Sequence, residues 1–232
     1  MQSPTSTNNN MLDFQGQARL EERMNSLSHG LGALLSVAGM VILIVVASLA
    51  VDPWKIVSVT IYGLCLTGLY LTSTLYHAAR HTRRRYILQQ LDHCAIFLLI
   101  AGTYTPFALV NMRGDVGWTL FGLVWGLAAV GIVTKLLWPE RFHVLRVAVY
   151  IIMGWLMVMF PGTMDETLSS TGKWLLLAGG MTYTFGVIFY AIEKLPYNHA
   201  IWHLFVLGGS ACHFLAIYFA VIPFTHIAIH TT

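Results

Sequence analysis

Two histidines four residues apart, His199 and His203, are the strongest chemical signal in this sequence. At that spacing both imidazoles lie on one face of a helix, one turn apart, and can grip a single cation. A third ligand must come from elsewhere in the chain, and His77 is the candidate, with Ser73 one turn before it. Three imidazoles with a fourth position left open to water is the pattern of a catalytic zinc site. Asp92 is expected to hydrogen-bond that water or to orient a ligand from behind. Ser73 could do either, or bind a substrate. Imidazole also suits copper, iron and nickel, so zinc is a preference among divalent ions.

Other polar residues carry two readings each. Glu22, Asn25 and His29 stand at i, i+3 and i+7, one helical face. They would serve as an outer shell for the metal ligands, or simply cap and anchor a helix. His81, His143, His226 and His230 read as hydrogen-bonded structural histidines at loops or helix ends. His93 points roughly 100° away from Asp92 around a helix and reads as structural too. His213 lies ten residues beyond His203, roughly 15 Å along a helix. That is too far to share one ion, so its role stays open.

The elements that must position these residues follow from composition. Of the 232 residues, 56% are hydrophobic and only 10% charged, with a mean hydropathy of +0.67. A water-soluble domain needs more charge than this to cover its surface, so lipid must cover it. The net charge of +3 comes from dispersed residues and offers no basic face for nucleic acid. Cys65, Cys94 and Cys212 sit in apolar runs without CxxC spacing, which argues for buried thiols rather than disulfides or a thiolate zinc site.

A membrane span takes about 20 mostly apolar residues. Seven runs qualify: 30–51, 54–77, 88–111, 117–138, 144–160, 174–192 and 199–223, the fifth being the shortest. The reading is an all-α membrane protein, a seven-helix bundle over residues 19–232 preceded by a disordered polar tail at 1–18. The tail lacks the basic region and short apolar core of a cleaved signal. Pro106 should kink the third span or free a carbonyl there. Lys and Arg concentrate on the side of the N-terminus and of the loops after spans two, four and six. Ten of the thirteen lie there, against Lys55, Arg113 and Lys173 on the other side. Short cytoplasmic loops retain positive charge, so the N-terminus is expected inside and the C-terminus outside.

That topology puts the polar groups at one level. Spans one, three and seven begin, and span two ends, on the cytoplasmic side. Glu22 to His29, Ser73 and His77, Asp92, and His199 with His203 then share a depth near the inner leaflet. Ionisable groups inside a bilayer are costly, so such a gathering points to a site.

The residues that carry this chemistry also carry a resemblance. EERMNSLSHGLGA at 21–33, STLYHA at 73–78, LDHCAIFLLIAGTYTPF at 91–107 and PYNHAIWHLFVLGGSACHF at 196–214 resemble the haemolysin III family of bacterial inner-membrane proteins. That family is grouped with the progestin and adipoQ receptors and is more distantly similar to alkaline ceramidases. The resemblance implies a multi-pass protein of the bacterial inner membrane, with a seven-helix fold and a cytoplasmic N-terminus. It also implies zinc bound by His77, His199 and His203, with Asp92 and Ser73 close to the zinc's water.

Three functions are in view. The first is a zinc-dependent hydrolase of a membrane-lipid amide or ester, with Asp92 as proton carrier. The second is a non-enzymatic regulator of membrane fluidity, or a sensor, whose zinc is structural. The third is a pore-forming cytolysin, as the family name suggests. A pore needs a polar stripe through the whole bilayer, whereas polarity here gathers at one end of the spans.

Overall fold

A computed structural model describes residues 4–192 and 194–223. Eight α-helices follow one another: α1 (Pro4–Leu49), α2 (Pro53–Ala78), α3 (Thr82–Pro106), α4 (Asp115–Leu137), α5 (His143–Trp155), α6 (Pro161–Thr167), α7 (Ser170–Ala191) and α8 (Asn198–Ala216). No strand occurs among the described residues. Six helices are long and apolar enough to cross a membrane. A seventh span arises if α5 with its 3₁₀ extension Leu156–Met159 is taken together with α6, across a bend of 65°. The run expected at 144–160 corresponds to His143–Met159, and the bend falls where that run ends, just before Pro161 opens α6.

Polar groups start and stop the helices where the sequence offers them. The Asp52 carboxylate accepts from the Trp54 amide at 2.9 Å, and Pro53 occupies the first turn of α2, where its missing N–H leaves no bond unmade. Ser169 accepts from the Gly172 amide at 3.2 Å at the start of α7. Gly114 turns the chain into α4 with φ of 143°, a backbone region that side chains with a Cβ rarely enter. Helix α1 runs from Pro4 to Leu49.

Pro106 acts as expected of a helix-interior proline. It cannot donate to the carbonyl of Gly102, and the chain continues as a π-helical turn, Phe107–Asn111, with the Met112 amide reaching back to the Phe107 carbonyl. A second π turn, Ile217–Val221, extends α8. Asn111 ties these irregular segments together by donating to the carbonyls of Thr167 (3.1 Å) and Ala220 (2.9 Å).

Helix α3 forms the centre of the bundle, with 78% of its most apolar window buried, against 11% for α7 and 22% for α1 and α4. Helix α1 packs on both α2 and α8, α2 packs on α3, and α7 packs on α8. Phe97, Phe107, Tyr62, Val124 and Met153 fill the interior. The outside carries Leu27, Leu34, Leu49, Val144 and Trp174, all largely exposed, as expected of a surface solvated by lipid chains. Lys55, counted among the charges of the outer side, is buried and donates to the Ile222 carbonyl at 2.7 Å.

Candidate metal centre

The three histidines expected to share a cation do meet. Each of His77, His199 and His203 offers a ring nitrogen, and these atoms all lie within 4.8 Å of one another. The ring centroids stand 5.0 Å apart for His77 and His199, 5.0 Å for His77 and His203, and 4.7 Å for His199 and His203. Zinc–imidazole bonds of about 2.1 Å at tetrahedral angles put ligand nitrogens roughly 3.4 Å apart. Small side-chain rotations close that difference.

Local structure brings them there. His77 occupies the last turn of α2. His199 and His203 occupy the first two turns of α8, aimed by Tyr197, which adopts the left-handed conformation with φ of 58° immediately before the helix. A bulky residue there is strained, at about 1–3 kcal/mol.

Chemistry of the surrounding groups fits a cation held by imidazole. His77 Nδ1 faces the Glu22 carboxylate at 2.8 Å, and its Nε2 is buried with no hydrogen-bond partner. An ionised carboxylate only accepts, so Nδ1 carries the proton and Nε2 keeps its lone pair. His203 Nδ1 lies 3.2 Å from the Asn25 carbonyl oxygen, another acceptor, which leaves its Nε2 the lone pair as well. The His199 amide, one of the unpaired donors of the first turn of α8, donates to Glu21 at 3.3 Å. Glu22 also pairs with Arg85.

A second polar layer backs this one. The His29 ring stacks on His203 at 3.5 Å, and its Nδ1 meets the Ser73 hydroxyl at 2.7 Å. Ser73 and Asp92 line the same cavity. The Asp92 carboxylate is not among the atoms within 4.8 Å of one another. Asp92, Ser73, His199 and His203 instead face a common cavity of about 160 Å³. That cavity runs along the bundle between α3, α5, α7 and α8, past Ile100, Tyr104 and Trp155. A second, polar opening lies on the other side of His77 and His199, against Glu21, Glu22 and Asn25.

All expected site residues gather at one end of the bundle, with Glu22, Asn25 and His29 behind the ligands. His213 lines the deep part of the cavity, apart from the trio. Two histidines read as structural, His93 and His143, also line the cavity, together with Arg146. His226 and His230 lie outside the described residues. Sequence reasoning missed Arg85 and Glu21, whose roles depend on which helices adjoin. It also missed that Lys135 and Arg146, counted as loop charges, are buried and donate to carbonyls of the turn between α4 and α5.

Residues 17–214 match the family described as haemolysin-III related. The chain belongs to the haemolysin III family. It is 48% identical over 203 residues to hemolysin-3 of Bacillus cereus, an alignment covering 88% of this chain and 93% of that one. It is 47% identical over 199 residues to the hemolysin-3 homolog of Bacillus subtilis, covering 86% and 93%. The human monocyte to macrophage differentiation factor is 29% identical over 206 residues, covering 85% and 83%. This haemolysin III family member is thus a multi-pass helical membrane protein with a three-histidine group able to hold a metal ion.

Proposed function

We propose that this protein is a zinc-dependent hydrolase of a lipid amide or ester, working at the cytoplasmic side of the bacterial inner membrane. One observation carries the reading: two of the three clustered histidines, His199 and His203, border a mostly apolar cavity that also receives Asp92 and Ser73, with His77 beside them. A zinc ion held by His77, His199 and His203 would act as a Lewis acid on a carbonyl and make water nucleophilic near neutral pH. Asp92 takes the proton from the attacking water and passes it to the leaving nitrogen or oxygen. Ser73, bonded to His29 and lining the same cavity as Asp92, orients that carboxylate. The cavity receives the acyl chain, while the polar link stays at the level of the histidines. The cytoplasmic assignment is supported by the arginine-rich loops at this end of the bundle, because short cytoplasmic loops retain positive charge.

The test is turnover of a panel of long-chain fluorogenic acyl amides and esters in micelles by purified, zinc-loaded protein. Asp92→Ala should lower turnover by about 10²- to 10⁴-fold, the usual share of a general acid–base group, and leave the zinc content unchanged. Normal turnover by that variant overturns the mechanism.

A further inference from the structure

Residues 21–29 of α1 supply a partner to every expected metal ligand, although none of them is itself an expected ligand. Glu22 accepts from His77, the Asn25 carbonyl accepts from His203, and Glu21 accepts from the amide of His199. Ser28 stands 3.3 Å from His203 Nδ1, and His29 stacks on the same ring. Three ligands on two different helices are therefore oriented by one segment of a third. Asn25 and His29 are almost wholly buried. Burying polar side chains in a membrane bundle is costly unless they have work to do there.

We propose that this segment is the outer coordination shell of the site, and that Glu22 is its principal positioning residue. The proposal rests on the metal-binding part of the function above and is independent of substrate and reaction. Helix capping, the alternative for these residues, does not describe them: they lie in the interior of α1, far from either end. Glu22 does two things for His77. It selects the tautomer with the proton on Nδ1, and it fixes the ring's rotation, so that Nε2 faces His199 and His203. Arg85 holds the other carboxylate oxygen and so limits the rotation of Glu22 itself. Outer partners of this kind set a large part of a site's affinity, and losing one commonly weakens metal binding about 10- to 100-fold.

The inference is tested on full-length protein in detergent, stripped of metal and titrated with cobalt(II) and then with zinc(II). The cobalt visible spectrum reports ligand geometry without reference to catalysis. Glu22→Ala should weaken binding about 10- to 100-fold and shift the cobalt bands. Glu22→Gln, whose side-chain carbonyl still accepts from Nδ1, should recover most of the affinity. Arg85→Ala, which leaves the carboxylate on His77 but frees its rotation, should weaken binding clearly less than Glu22→Ala. Nitrogen-15 spectra of labelled histidine in the zinc-loaded wild type should show His77 protonated at Nδ1. Glu22→Ala binding cobalt as tightly as wild type, with an unshifted spectrum, overturns the proposal. So does loss of binding in Arg85→Ala equal to that in Glu22→Ala, because the effect would then belong to the ion pair. Failure of the wild type to bind either ion removes the metal itself, a different result from either of these.

Discussion

The imidazole of His29 lies flat on that of His203, with 3.5 Å between ring centroids and 7° between planes. One residue comes from the middle of α1 and the other from the second turn of α8, 174 positions later. The stack joins the first and last spans at the level of the metal ligands. Through its own Nδ1, His29 then passes the contact on to Ser73 of α2.

Removing metal ligands should remove the metal. Wild-type protein is expected to carry about one zinc per chain, and His77→Ala, His199→Ala or His203→Ala to carry almost none, by elemental analysis. Retention by all three variants places the ion elsewhere.

Chelation should cost stability. An ion that binds only the folded state stabilises it by about 4 kcal/mol at a thousandfold excess over its dissociation constant. Stripping it should lower the thermal midpoint of the purified protein by several degrees, with zinc restoring it. An unchanged midpoint argues against an occupied site.

Gly180 borders the cavity, and a methyl group added there would meet Trp155 at an ordinary 3.4 Å. Alanine should therefore be tolerated. Gly180→Leu should fill the cavity, excluding long acyl chains while leaving zinc binding intact. Equal retention of a long-chain lipid by wild type and the leucine variant, measured by mass spectrometry, sends the acyl chain elsewhere.

Asn111 bridges the carbonyls of Thr167, at the end of α6, and Ala220, in the second π turn. Asn111→Ala should destabilise the bundle by about 1–2 kcal/mol, since interhelical hydrogen bonds in membranes average about 0.6 kcal/mol each, with a maximum near 1.7. Unfolding in mixed micelles reads this directly, and a neutral result would mean that water replaces both bonds.

Reporter fusions test the orientation. Fusions in the turns near Arg83 and Arg141 should report a cytoplasmic location, and a fusion near Arg113 the opposite one. The reverse pattern would move the histidine group to the other leaflet.

The helices themselves were legible in the sequence, because a bilayer demands long apolar runs and makes their ends visible through charge and proline. Runs read at 88–111 and 199–223 correspond to α3 and α8 with their π turns. The short helix α6 and the 65° bend before it were not read from the sequence, although Pro161 marks the position, because the residue before a proline is steered out of helical geometry. His199 and His203 were readable as a pair because helical geometry alone puts them on one face. Their meeting with His77 was an inference from shared depth. Contact needed α1 to lie between α2 and α8, which no local spacing specifies. Glu21 and Arg85 show the same divide. Each is an ordinary polar residue in its own helix, and only the helices packed against it give it a partner. Periodicity records which face of a helix avoids water or lipid. It carries no information on which neighbour that face meets, and that choice rests on packing between residues far apart in the chain.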